Sequence, residues 1–183
     1  DKKGPVFDKP LRSETDFNNL PSELDLSKLS YVNETIKNIK TELNDSLPLI
    51  GFIGSPWTVA TYLIEGNSSK KFTYIKNMMH ENSNLLDKIL DMITRGSIHY
   101  VNEQINQGVD AFMIFDTWGG LLSKKDYYNY SLKYIEKIIN NGHGPLPGSK
   151  DSMFKQLDEV PHQDYDWKNH YILKDDRVVN IDM

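Results

Sequence analysis

Leu29, Val32, Ile36, Ile39 and Leu43 recur at three- and four-residue steps, the period of one face of an amphipathic helix. The pattern then changes. "PLIGFIG" (Pro48–Gly54) is an almost unbroken apolar run between Pro and Gly, which reads as a short strand buried on both faces, as in a parallel sheet. "GSPW" follows at once. Ser55 suits an N-cap and Pro56 a first helical position, so a helix is expected over Pro56–Glu65, closing at Gly66. Phe72–Glu81 reads as another helix. Ser83 to Gln107 reads as a long one, with Leu86, Ile89, Ile93, Tyr100 and Ile105 inward and Gly108 as terminator. "VDAFMIFD" (Val109–Asp116) is a second buried strand. Ser123 then opens a helix to the neighbourhood of Ile138, with Asp126 placed for a capping-box-like contact.

The two ends of the chain follow different rules. Residues 1–28 carry little periodicity beyond a short helical turn near Asp16–Leu20. After Gly148, Lys150–Glu159 suits a short helix. Tyr171–Asp182 suits either a hairpin with an Asp-Asp turn or a frayed end. Between these ends, strands alternate with helices. That order implies an α/β fold built from βαβ units with a parallel sheet. Function in such folds sits at the carboxyl ends of strands. "GSPWTVATY" and "DTWGG" occupy those ends.

Composition narrows the function classes. The chain has 183 residues, enough for one domain with a real core. It has no cysteine, which excludes disulfides, Cys-zinc sites and thiol nucleophiles. A net charge of -5 and the lack of a basic stripe argue against a nucleic-acid surface. No apolar run approaches the roughly 18 residues of a membrane span. "DKKGPVFDKP" lacks the apolar segment of a signal peptide, and the absence of cysteine suits the expected cytoplasmic location.

Several residues carry candidate chemistry. Gly51, Gly54 and Ser55 precede a helix N-terminus and suit an anion cradle or a tight strand-to-helix turn. The stretch lacks the Walker lysine and the G-x-G-x-x-G spacing. Tyr62 falls early on the following helix and suits either a substrate carboxylate or a buried, satisfied hydroxyl. "DTWGG" puts Asp116, Thr117 and two glycines at a strand's carboxyl end. The alternative is Asp116 capping a neighbouring element. His143 stands between Gly142 and Gly144, which expose its ring. The histidines lack metal-ligand spacing, so no metal site is expected.

Taken together, these stretches resemble one family. "PLIGFIGSPWTVATYLIEGNSSKKFTYIKNMM" and "AFMIFDTWGGLLSKKDYYNYSLKYIEKI" closely resemble the uroporphyrinogen decarboxylases. "GPVF" and "NGHGPLP" do so in the same order. The similarity covers roughly Gly4 to Val160. It divides the chain into a decarboxylase-like region, 1–160, and an unrelated-looking tail, 161–183. The resemblance implies a (β/α)8 TIM barrel acting as a homodimer in haem and porphyrin biosynthesis. It implies removal of the acetate carboxyls of uroporphyrinogen III to give coproporphyrinogen III, with no cofactor or metal. A protonated pyrrole serves as the electron sink, and the enzyme stabilises that charge. By the same resemblance Tyr62, Thr117 and His143 are substrate-binding positions.

Two family segments have no counterpart. One is the "RQAGRY"-type segment with its arginines. The other is the "FSDI"-type strand, whose aspartate meets the pyrrole nitrogens. The resemblance therefore names no catalytic residue here. Several strand–helix units are also absent between the "DYYNYSLKYIEKI" helix and "NGHG". A full barrel typically needs about 250 residues, so an incomplete (β/α)8 fragment with parallel strands and an irregular tail is expected. "KIIN" (Lys137–Asn140) is expected to continue its helix to Asn141, leaving His143 far from Tyr62 and Thr117. Two rival functions stand beside this one. A corrinoid-linked methyltransferase of the same superfamily needs a cysteine-containing zinc site. A non-catalytic module would pair its open sheet edge with a full-length subunit.

Overall fold

The computed structural model describes residues 6–21, 25–44, 46–67, 71–141, 170–174 and 177–181, the last two as backbone strands. The elements run α1 (Glu14–Asn18), α2 (Ser30–Leu43), β1 (Ile50–Gly54), α3 (Pro56–Glu65), α4 (Thr73–Glu81), α5 (Ser83–Asn106) and β2 (Ala111–Phe115). Then come α6 (Lys124–Tyr127), a π-helical turn (Tyr128–Leu132), α7 (Lys133–Asn141), β3 (His170–Lys174) and β4 (Arg177–Ile181).

The expected βαβ unit is present. β1 and β2 pair in parallel, from Ile50 opposite Ala111 to Gly54 opposite Phe115. Gly51 lets the layers close. A Cβ there would lie 2.9 Å from the Phe112 ring and 3.0 Å from Gln104 Oε1. Phe112, Ile114, Val101, Ile135 and Ile138 make the core between the sheet and helices α5 and α7. A larger core of Trp57, Ile64, Ile75, Leu85, Leu86 and Ile89 joins α3, α4 and α5.

Local capping follows the sequence closely. The Ser55 hydroxyl accepts from Thr58 N–H, Pro56 opens α3, and Gly66 ends it at φ 81°. Gly108 ends the long helix at φ 95°. Ser123 accepts from Asp126 N–H at the start of α6. Phe72, expected inside α4, instead precedes it in a left-handed conformation at φ 51°. Its side chain offers no cap. The buried Glu65 supplies one from the neighbouring helix, accepting from Ile75 N–H at 3.1 Å. Arg12 does the same for the C-terminal end of α3. Its guanidinium donates to the carbonyls of Ile64 (3.0 Å) and Glu65 (2.8 Å) and stacks 3.5 Å above the Tyr74 ring. A cation there meets carbonyls that the helix itself leaves unpaired.

Four expectations need correction. β1 is buried on one face only: Ile50 is 45% and Phe52 63% exposed. The helices cover the Gly51 side, and strand side chains alternate faces. The sheet is mixed rather than parallel throughout. Its order is β1-β2-β3-β4, with β2–β3 and β3–β4 antiparallel. The tail is not irregular over 170–174 and 177–181, where β3 and β4 pair antiparallel, as the hairpin alternative for Tyr171–Asp182 held, and β3 takes the second edge of β2. The helix after Ser123 is interrupted by the π turn. Beyond that turn, α7 does run through Asn141. Tyr100 and Ile105 are half-buried, while Leu86, Ile89 and Ile93 are buried.

Candidate functional site

The carboxyl ends of β1 and β2 meet at one hydrogen-bonded centre. Asp116, 2% exposed, follows β2 directly. Its Oδ1 accepts from Ser55 Oγ (2.5 Å) and Thr58 Oγ1 (3.2 Å), and its Oδ2 from Ser131 Oγ (2.6 Å). Ser55 and Thr58 belong to the start of α3, and Ser131 to the π turn. A buried carboxylate is costly unless it is well hydrogen-bonded, and these three donors supply that. The strands are tied here as well, with Ser55 N–H donating to the Phe115 carbonyl at 2.7 Å.

The segment after Asp116 is held to the same helix. Trp118 N–H donates to Thr58 Oγ1 at 3.2 Å, and Trp57 Nε1 donates to the Trp118 carbonyl at 2.9 Å. Gly119 N–H donates to the Asp116 carbonyl at 3.0 Å. Only glycine fits there, since a Cβ would sit 2.6 Å from Asp116 Oδ2. The Trp118 ring packs against Phe72, at 4.7 Å between centroids, and against Tyr62, edge-on at 6.1 Å. Its own indole N–H is buried without an acceptor among the described residues. Tyr130 packs beside Trp57, and burial raises its phenol's pKa, with Asp87 and Asp126 adding to the effect.

Of the residues singled out from the sequence, Tyr62 is half-buried in the second turn of α3 and Thr117 is exposed beside Asp116. Trp118 brings their surroundings together, as it touches Tyr62 and adjoins Thr117 in the chain. His143 lies outside the described residues, and so does its expected separation from the other two. Asp116 does not itself cap a neighbouring element, which was its alternative reading; Ser55 caps α3, and Asp116 accepts from the Ser55 hydroxyl. The partners Thr58 and Ser131 were not singled out. Their signal was a hydroxyl placed among apolar positions of a helix, which is weak when taken alone. Among the described residues no three His, Asp or Glu side chains gather as metal ligands. No described helix is long and apolar enough to cross a membrane.

Comparison with known proteins gives this arrangement a family. The family model described as uroporphyrinogen decarboxylase (URO-D) matches residues 1–163. The chain is 47% identical over 138 residues to uroporphyrinogen decarboxylase of Mannheimia succiniciproducens, covering 75% of this chain and 39% of that protein. It is also 47% identical over 138 residues to that of Ruthia magnifica, covering 75% and 40%. It thus spans about two-fifths of the curated relatives it matches. Among solved structures, a methyltransferase from Methanosarcina mazei matches with a TM-score of 0.57 at 21% identity, over 76% of this chain and 39% of that one. At that identity the likeness speaks for the fold alone. The family match covers most of the chain, and the identity to its members is high: the chain belongs to the uroporphyrinogen decarboxylase family.

Proposed function

We infer that this chain carries part of a tetrapyrrole-decarboxylating site on part of a (β/α)8 barrel. In this reading Tyr62, Thr117 and His143 bind carboxylate arms of uroporphyrinogen III, which loses acetate carboxyls to become coproporphyrinogen III. In each step the carbon–carboxyl bond breaks and carbon dioxide leaves. The electron pair passes into a protonated pyrrole, and a proton takes the carboxyl's place on the new methyl group. The hydroxyls of Tyr62 and Thr117 suit the holding part of this work, because each donates one hydrogen bond to a carboxylate. They do not suit stabilisation of the cationic pyrrole, which calls for a negative charge.

One observation carries the reading. A chain 47% identical to uroporphyrinogen decarboxylases places Tyr62 against Trp118, beside Thr117, at the carboxyl ends of a parallel strand pair. The test has two arms, both anaerobic. Uroporphyrinogen III is expected to bind the 183-residue chain, and Tyr62→Phe or Thr117→Val to weaken that binding several-fold. Alone, the chain is expected to form no coproporphyrinogen. Turnover above the uncatalysed background would refute that second expectation. Unchanged affinity in both variants would remove Tyr62 and Thr117 from the site.

A second reading, a module that pairs with a longer subunit, draws on one feature. Leu47, Ile50 and Phe52 are exposed on or beside β1, whose outer edge has no strand neighbour among the described residues. Such an edge is a template for pairing. Co-expression with the intact Mannheimia relative tests it. A stable complex with altered turnover supports the module, and separate elution rejects it.

A further inference from the structure

Thr117 is exposed, yet the residues on both sides of it are held. Before it, Asp116 receives three hydroxyl hydrogen bonds. After it, the peptide groups of Trp118 are engaged at both N–H and carbonyl. Ser55, Trp57 and Thr58 supply all but one of these bonds, and they lie at the start of α3. Tyr62 lies one turn further along the same helix. One rigid element therefore carries Tyr62 and also grips the segment that presents Thr117.

The directions of the bonds make the carboxylate central. Ser55 Oγ already accepts from Thr58 N–H, and Thr58 Oγ1 accepts from Trp118 N–H. Each hydroxyl's own proton is thus free to point at Asp116. Both oxygens of Asp116 act as acceptors, one toward α3 and one toward Ser131. An amide in its place would turn a donor toward one of these hydroxyls.

We propose that Asp116 is a positioning residue, whose buried carboxylate locks residues 116–119 to the start of α3 and so fixes Thr117 relative to Tyr62. The role rests on the reading of those two residues as contacts of the substrate's carboxylates. Asp116 itself is walled in by Ser55, Thr58, Ser131 and Gly119 and is not offered as a substrate contact.

The experiment compares the full chain with Asp116→Asn and Ser131→Ala. Three quantities are measured: thermal melting, ring-to-ring nuclear Overhauser cross-peaks between Tyr62 and Trp118, and anaerobic affinity for uroporphyrinogen III. The 6.1 Å ring separation makes the cross-peaks observable in the unmutated chain. Asp116→Asn is expected to fold, to lose or weaken those cross-peaks, and to bind at least tenfold more weakly. Ser131→Ala, which leaves the bonds to α3 in place, is expected to lose affinity about threefold. Asp116→Asn with a lower melting temperature but intact cross-peaks and affinity would overturn the proposal, since the carboxylate would then be merely structural. If Asp116→Asn does not fold, Ser131→Ala decides by the same two readouts. If the unmutated chain has no affinity, the tetrapyrrole reading fails, and the cross-peaks alone decide whether Asp116 positions the segment.

Discussion

Single residues decide two features of this fold that elements alone do not. At Gly119 the main chain passes against a carboxylate and an aromatic ring. An added Cβ would lie 2.6 Å from Asp116 Oδ2 and 2.9 Å from Tyr127 Cε2. Gly119→Ala is therefore expected to cost about 2 kcal/mol or more, the scale of overpacking in a dense interior, read as a lowered urea midpoint. An unchanged midpoint would mean that the ring and carboxylate give way freely. At Glu65, one carboxylate oxygen serves as the cap of a helix that is not its own. Glu65→Gln keeps an oxygen acceptor and is expected to stay within about 0.5 kcal/mol of the parent. Glu65→Ala leaves a helix N–H unpaired and is expected to cost about 1–2 kcal/mol. Equal losses in the two variants would show that charge, not capping, is what matters.

At the scale of elements, α5 and α7 meet along a polar seam. Tyr134 donates to Asp87 at 2.7 Å, Lys133 approaches Asp87 at 3.4 Å, and Lys137 pairs with Asp91 at 2.9 Å. Burial first, then the hydrogen bond to Asp87 and its charge, push the Tyr134 phenol well above its ordinary value of 10.0. The sign follows from linkage. The folded state holds a proton that the unfolded chain gives up near pH 10, so the stabilisation is whole below that pH and declines above it. Alkaline unfolding is expected to set in as pH rises past about 10, and Tyr134→Phe to blunt that decline. Tyr100 and Tyr130, raised in the same direction, leave a remainder. Denaturant midpoints between pH 8 and 11 check this. A slope that Tyr134→Phe leaves unchanged would sink it. The helices themselves were legible in the sequence. Ser55, Pro56 and Gly66 bound α3 as their residue types dictate. The π turn was not legible, because "YNYSL" carries no composition that separates it from an α-helix. What sets it apart is Ser131 bonded to Asp116, a contact between residues 15 apart.

At the scale of the molecule, helices cover one face of the sheet and, among the described residues, none covers the face of Ile50 and Phe52. "PLIGFIG" reads as buried on both sides, and the apolar pattern itself says nothing of which element does the covering. The same limit applies to the site. Tyr62 and Thr117 could be singled out, but their shared neighbour Trp118 and the clamp on Asp116 depend on how α3 docks. Phe52 touches Phe115 edge-on at 5.8 Å and is otherwise open. Phe52→Thr is expected to change stability by less than about 1 kcal/mol, while lowering dye binding and light scattering. A loss of several kcal/mol would mean that Phe52 is covered in solution.

The antiparallel hairpin has a topological consequence. A strand has two edges, and those of β2 are taken by β1 on one side and β3 on the other. A further strand can join this sheet at the outer edge of β1 or of β4, but a parallel neighbour can take the second edge of β2 only if β3 first leaves. The hairpin and a parallel neighbour of β2 are rival tenants of a single berth, so β3 and β4 decide whether the parallel run can continue past β2.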